Sequence, residues 1–128
     1  MPFDGVEPRA RRGLVAHADG VAGEDCASRA LQHDGWTILG RRVRTGAGEI
    51  DLIASRGPMV AFVEVKTRPT LAEAASAITP RQQARIAAAA EAWLAEQPAL
   101  AAGDVRFDVI AVDALRRVRR VADAFRLG

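Results

Sequence analysis

The chain has 128 residues, a hydrophobic fraction of 49% and a charged fraction of 27%, values typical of one globular domain that exclude general disorder. A single cysteine, Cys26, excludes an internal disulfide framework and a multi-cysteine zinc site. No apolar run approaches the ~20 residues of a membrane span, and no signal peptide is evident. We therefore expect a cytoplasmic protein that has no membrane partner.

The basic residues are almost all of one kind: 17 of the 18 are arginine, and Lys66 is the one lysine. An arginine-rich composition explains most of them as solvated surface residues, and a net charge of +2 only weakly favours a polyanionic partner. Arginine cannot replace lysine where a compact, deprotonatable charge is required. Lys66 is therefore either a lysine that the bias toward arginine left unchanged by chance, or a residue whose amine is needed for the function of the protein.

The N-terminal third predicts an arm followed by a helix. Residues 1–20 contain prolines, glycines and arginines without a sustained period, which predicts a flexible basic arm ahead of a single domain over residues 21–128. Residues 21–34 show helical periodicity, and Glu24 lies on the same side as the apolar stripe of Ala27 and Leu31. A carboxylate directed toward a core needs a partner or a cation.

The rest of the chain predicts strands on either side of one long helix. Strands are expected over residues 36–44, 49–54 and 60–68, with turns at residues 45–48 and 55–58. Thr79 and Pro80 are typical of a helix start, and this helix is expected to end near residue 96. A loop at residues 98–103 precedes a strand over residues 105–112, and residues 118–121 suit a short strand better than a basic helix. These elements predict an α/β fold with a central mixed β-sheet flanked by α-helices.

Charged residues interrupt two of the predicted strands. Glu64 and Lys66 share one face of the third strand, because side chains alternate along a strand with a period of two. Twelve residues separate Asp51 from Glu64, a spacing at which a hairpin brings the two carboxylates side by side. Glu24 can reach the same patch from the first helix.

This combination favours metal-assisted chemistry on phosphodiesters. Mg²⁺ is typically held by one or two carboxylates together with water and phosphate oxygens, and it lowers the pKa of a bound water. A neighbouring lysine can orient that water or stabilise negative charge that develops on the phosphate. Taken alone, Glu64 and Lys66 are more often a charge pair on a solvated strand face. Glu49 is better interpreted as an exposed residue at the start of its strand.

The strand motifs are GEIDLI at residues 48–53 and FVEVKTR at residues 62–68, and together they resemble the YraN-like family of uncharacterised bacterial proteins. The resemblance extends to Gly23 and Glu24 in the first helix and to RFDV at residues 106–109, so it covers roughly residues 20–125. That family is predicted to be nuclease-like, and it is similar to archaeal Holliday junction resolvases and to the wider restriction-endonuclease-like superfamily. The resemblance therefore implies a restriction-endonuclease-like fold.

The resemblance also implies roles for individual residues. Asp51, Glu64 and Lys66 correspond to the Asp…Glu-x-Lys core of the superfamily, and Glu24 corresponds to its acidic residue from the first helix. Asp51, Glu64 and the main-chain carbonyl of Val65 would ligate Mg²⁺ or Mn²⁺, with Glu24 beside them, and Lys66 would serve the water. The implied activity is a divalent-metal-dependent endonuclease, a hydrolase acting on structured or branched DNA.

Three arginines are predicted to contact nucleic acid. Arg81 stands where the family usually shows a lysine, and the exchange keeps a phosphate contact. Arg68 is the last residue of the strand that carries Glu64, where a structural salt bridge is an equal alternative. Arg44 is otherwise a solvated strand residue. The alternative function is a nucleic-acid-binding module of the same fold without turnover. A symmetric junction would require two copies of the chain, which leaves a homodimer as an expectation.

Overall fold

The computed structural model describes the backbone of residues 8–126 and the side chains of residues 20–126. This part of the chain forms four helices and five strands: α1 (Pro8–His33), β1 (Thr37–Thr45), β2 (Gly48–Arg56), β3 (Met59–Thr67), α2 (Leu71–Ala75), α3 (Pro80–Ala95), α4 (Pro98–Ala101), β4 (Asp104–Val112) and β5 (Val118–Phe125). None of these helices is both long and apolar enough to cross a membrane.

The five strands form one mixed sheet in the order β1-β2-β3-β4-β5. β1, β2 and β3 are an antiparallel meander, β4 runs parallel to β3, and β5 returns antiparallel to β4. Two-residue turns join the first three strands. The parallel step from β3 to β4 needs a longer crossover, which α2, α3 and α4 supply.

An apolar core covers each face of the sheet. On one face, Phe62 packs against Ile86 and Trp93 of α3, and the rings of Phe62 and Trp93 meet edge to face at 5.8 Å between centroids. On the other face, Val63 packs in a core with Leu31 of α1. The predicted α/β fold with a mixed sheet flanked by helices is confirmed, and it is compatible with the restriction-endonuclease-like fold.

The start of α3 follows from its local sequence. The Thr79 hydroxyl accepts a hydrogen bond from the backbone N–H of Gln82 at 3.1 Å, and the Gln82 side chain accepts one from the N–H of Thr79 at 3.0 Å. This reciprocal capping box satisfies two donors that the first turn leaves unpaired. Pro80 follows at the first position of the helix, where the backbone N–H has no partner within the helix, so the missing N–H of proline costs no hydrogen bond.

Helix α1 corrects the predicted element boundaries at the N-terminus. It begins at Pro8, whereas the periodicity predicted a start at residue 21, so it passes through the boundary expected between arm and domain. Alanine, leucine and arginine in residues 8–20 favour helix by propensity, but without an apolar period they give no pattern signal. Residues 1–7 of the expected basic arm lie outside the described residues, and the division into arm and domain stays a prediction.

Other boundaries differ by shorter stretches. Two short helices, α2 and α4, were not predicted; α4 lies in the expected loop at residues 98–103. Thr70 caps α2 by accepting a hydrogen bond from Glu73, and Pro98 begins α4, so short local signals decide both. The predicted strand at residues 118–121 is confirmed and continues to Phe125 as an edge strand.

Candidate active site

Asp51 and Glu64 lie beside each other where the ladder between β2 and β3 ends. That ladder runs from the pair Arg56–Met59 to the pair Leu52–Val63, so the next position outward holds the two acids. The Asp51 side chain then accepts a hydrogen bond from the backbone N–H of Val65 at 2.8 Å. The hairpin spacing in the sequence thus brings the two carboxylates together as predicted.

Lys66 lies on the same face of β3 as Glu64. Its Nζ is 3.1 Å from Oε1 of Glu64, and the lysine is only 9% exposed. An ammonium group buried to this degree requires a carboxylate partner, and Glu64 provides it. The lone lysine of the chain is therefore part of the carboxylate cluster, which differs from the solvated charge pair that the sequence pattern alone favoured.

Asp51 is the most strongly perturbed acid of the cluster. Burial is the largest cause, and with the negative charge of Glu64 it raises the pKa of Asp51 from 3.8 to about 7. The hydrogen bond from Val65 opposes this change, while Glu24 adds a further unfavourable charge. At neutral pH the cluster therefore holds Asp51 near its titration midpoint and would gain from a positive charge placed between the acids.

Helix α1 brings Glu24 to the cluster because it approaches β3 closely. A side chain at Gly23 would lie too near Oγ1 of Thr67 and within 3.7 Å of Cγ1 of Val65, so only glycine permits this approach. The next residue, Glu24, is 8% exposed and lies close enough to Asp51 to influence its ionisation. The inward direction predicted for Glu24 agrees with this position.

Glu24 is held by Arg42 of β1. Nε of Arg42 donates to Oε1 of Glu24 at 2.7 Å, and Nη2 donates to Oε2 at 3.2 Å. Arg42 occupies the left-handed backbone region at φ 49°, which is unfavourable for a residue with a side chain. The bidentate ion pair fixes the orientation of the Glu24 carboxylate beside the cluster.

Two adjoining depressions, each of about 370 Å³, share Glu24, Asp51 and Glu64. On one side the shared acids meet Arg42, Gly48, Glu49, Gln82, Arg85 and Ile86. On the other side they meet Gly20, Val65, Lys66, Thr67 and Arg68. The acids therefore lie at the centre of a longer cleft that has basic residues toward both ends.

The acids of the cleft offer the carboxylate oxygens that a divalent cation binds. Asp51 and Glu64 are neighbouring acids whose joint ionisation is unfavourable, a situation that a cation between them would relieve. Within residues 20–126, no three or more Asp, Glu, His or Cys side chains group closely enough to hold a metal ion. The residues present thus fit an ion held by two carboxylates that completes its coordination with water and substrate oxygens, as Mg²⁺ does.

The three arginines predicted to contact nucleic acid occupy different positions. Arg68 lines the cleft beside Lys66. Arg44 is 88% exposed in its side chain and lies 4.0 Å from Glu49, at the edge strand. Arg81 is exposed on the first turn of α3 and, within the described residues, lines neither depression.

Gln82 and Arg85 line the cleft instead, one on the first turn of α3 and the other one turn further along. The spacing of three residues between them places both on one helix face, a pattern that the sequence displays but does not connect to the β1–β2 hairpin. The contact becomes visible only in the structure, where the Arg85 side chain lies over Gly48 at the start of β2.

The fold and the cleft together define an α/β protein that is compatible with the restriction-endonuclease-like fold. Two carboxylates and one buried lysine lie together where its β2 and β3 strands stop pairing. Residues 23–112 match the model of the uncharacterised protein family UPF0102. A UPF0102 protein of Granulibacter bethesdensis is 55% identical over 116 residues, covering 91% of this chain and 73% of the relative. One from Rhodopseudomonas palustris is 44% identical over 122 residues, covering 95% and 94%.

A further UPF0102 protein, from Azorhizobium caulinodans, is 50% identical over 103 residues and covers 80% of this chain and 79% of its own length. The chain belongs to the uncharacterised protein family UPF0102, which agrees with the YraN-like resemblance of its strand motifs. The family name assigns no activity, so function has to be argued from the cleft.

Proposed function

We propose that this protein is a divalent-metal-dependent endonuclease that hydrolyses phosphodiester bonds in structured or branched DNA. The observation that carries the proposal is the juxtaposition of Asp51, Glu64 and Lys66 at the end of β2 and β3, within one open cleft. Two neighbouring acids can hold a metal ion, and one buried amine beside them can assist metal-activated hydrolysis of a phosphodiester. The branched substrate is supported by the resemblance to resolvases.

The proposed mechanism assigns one role to each residue of the cleft. Mg²⁺ or Mn²⁺, held by Asp51, Glu64 and the main-chain carbonyl of Val65, would polarise the scissile phosphate and supply a water of lowered pKa. Lys66, whose Nζ lies 3.1 Å from Glu64, orients the attacking water and stabilises the charge that develops on the phosphate. Glu24 adds negative charge beside Asp51 while Arg42 keeps its carboxylate in place.

A cleavage assay tests the proposal. Labelled duplex, flap and four-way-junction DNA are incubated with the protein in Mg²⁺, in Mn²⁺ and in EDTA, alongside Asp51→Ala and Lys66→Ala. We expect metal-dependent cleavage that both variants lose, because each removes a group that the reaction needs. Glu91→Ala is the matched control, since Glu91 is an exposed acid on α3 that lines neither depression of the cleft. Cleavage that persists unchanged in Asp51→Ala and Lys66→Ala would refute this site.

One observation favours a second candidate, a nucleic-acid-binding module without turnover. Lys66 already neutralises Glu64, and Arg42 already neutralises Glu24, so two of the three acids have cations of their own. Such a cleft depends less on a metal ion to neutralise its acids than a cleft with three unpaired acids would. Binding of DNA without cleavage under every metal condition would support the module and exclude the nuclease.

A further inference from the structure

The turn between β4 and β5 exposes the most accessible large apolar side chain among the described residues. Leu115 is 75% exposed, whereas Val21, Leu39 and Val105 are exposed by 36–39%. Solvation of a leucine is unfavourable, and a single exposed one at a turn is unremarkable on its own. Its surroundings distinguish it.

The turn that carries Leu115 is held by one buried aspartate. Asp113 is fully buried, and its Oδ1 accepts hydrogen bonds from the backbone N–H groups of Leu115 at 2.9 Å and of Arg117 at 2.8 Å. Its Oδ2 accepts a third hydrogen bond from Nε of Arg117 at 2.6 Å. The exposed leucine is thus mounted on a turn with a defined backbone, which reduces the entropy lost when it contacts a partner.

The turn is continuous with the acidic cleft. A small depression next to the cleft is lined by Thr67, Arg68, Pro69, Ala114 and Arg116. Thr67 and Arg68 also line the depression that contains Asp51, Glu64 and Lys66. Thr67 pairs with Val112 and lies three residues after Glu64, which corresponds to about 10 Å along the strand or roughly three base-pair steps.

The charge around Leu115 is positive. Three exposed arginines, namely Arg116, Arg117 and Arg119, follow it in the turn and at the start of β5, whereas Arg120 lies 4.0 Å from Asp108 and beside the Trp36 ring. Arg117 keeps 68% of its side chain exposed despite its ion pair with Asp113. An apolar tip followed by exposed arginines complements a polyanion whose interior is apolar, and this matches duplex nucleic acid.

We propose that Leu115 is a wedge that inserts between base pairs of duplex DNA next to the cleft, while the neighbouring arginines contact phosphates. Proteins that kink DNA insert leucine in this way and must unstack the base step that it enters. The penalty is smallest where stacking is already interrupted, as at a branch point or a mismatch. Leu115 would therefore set a preference for branched or distorted substrates. The inference rests on the proposed function, because it presumes that DNA occupies the cleft.

The test measures binding of the full chain in EDTA, so that no cleavage is needed. The probes are a four-way junction with 2-aminopurine at its branch point and a straight duplex with 2-aminopurine at its centre. We expect the wild type to bind the junction more tightly than the duplex. Its binding should also increase the fluorescence of the 2-aminopurine at the branch point, because insertion of Leu115 unstacks that base. Leu115→Ala should lose at least about fivefold in junction affinity, equivalent to ~1 kcal/mol, and should lose the fluorescence increase. Its affinity for the duplex should change by less than about twofold, because the phosphate contacts remain.

Leu39→Ala is the matched control, since Leu39 is a partly exposed leucine on the edge strand β1. Arg119→Gln should lower the affinity for both probes equally and reduce the dependence of that affinity on salt concentration, as expected for a phosphate contact. Unchanged junction preference and unchanged fluorescence in Leu115→Ala would refute the wedge and leave the proposed nuclease standing. A wild-type protein that binds neither probe in EDTA would overturn the wedge, whereas the cleavage assay in Mg²⁺ and Mn²⁺ decides the proposed nuclease separately.

Discussion

Replacing Asp51 by asparagine tests the electrostatics of the cleft through stability alone. The pKa of Asp51 is about 7 in the folded protein, whereas the pKa of an ordinary aspartate is 3.8. Between these values the unfolded chain binds fewer protons than the folded one, so stability falls as pH rises from about 4 to 7. Above pH 7 the full penalty is present. Asparagine has a similar shape but no charge, so Asp51→Asn should abolish this loss.

The magnitude follows from the two pKa values. Their difference of about 3 corresponds to ~4 kcal/mol at 1.36 kcal/mol for each pH unit. Because Asp51 is partly exposed, we expect a measured gain of about 2–4 kcal/mol for Asp51→Asn at pH 8. The gain should fall to nearly zero at pH 3.5. The amide oxygen of asparagine can still accept the hydrogen bond from Val65, which limits other effects of the substitution.

Urea denaturation of the wild type and of Asp51→Asn, followed by circular dichroism between pH 3.5 and 8.5, measures this difference. Glu91→Gln serves as the control, because it removes an exposed acid from α3 outside the cleft. Mg²⁺ at pH 8 should raise the urea midpoint of the wild type and leave that of Asp51→Asn nearly unchanged, since the cation compensates the ionised pair. A difference between wild type and variant that is the same at every pH would refute the assignment of charge repulsion to this site.

Three further predictions concern the groups around Asp51. Lys66→Arg should retain DNA binding but lose cleavage, because the guanidinium keeps the charge without a compact amine; equal cleavage rates in wild type and variant would contradict this. Gly23→Ala should lower the thermal midpoint through its clash with Thr67, and Gly23→Ala/Thr67→Ala should recover it; a double variant as unstable as the single one would show that the helix approach is not the cause. Arg42→Gln should destabilise the protein by about 1–3 kcal/mol in urea, because Glu24 stays buried without its cation, and an unchanged midpoint would oppose this account.

The strands and the long helix α3 could be predicted because their signals are local. Alternating apolar residues, two-residue turns and the Thr79 capping box act within a few positions of the chain. The first half of α1 could not be predicted by periodicity, because residues 8–20 favour helix through propensity without an apolar stripe. Strand β2 also departs from strict alternation near Asp51: Ile50 and Ile53 pack on one face of the sheet and Leu52 on the other.

Some residues of the candidate site could likewise be predicted from local patterns, and others could not. Hairpin spacing placed Asp51 beside Glu64, and the period of two placed Lys66 on the face of Glu64, so these three residues were available from the sequence. Arg42 and Arg85 were not, because Arg42 reaches the cleft from β1 and Arg85 reaches it from α3.

What the sequence by itself determined is the type of the five strands and of α3 and the chemistry of three strand residues, because side-chain alternation along β3 and the spacing across a tight hairpin act over a few positions of the chain. Only the tertiary structure decided how the cleft is completed: the close approach of α1 at Gly23, the ion pair between Arg42 and Glu24, and the pKa of Asp51. These features depend on burial and on contacts between residues far apart in the chain. Burial and long-range contact are properties of packing, and no local pattern specifies them.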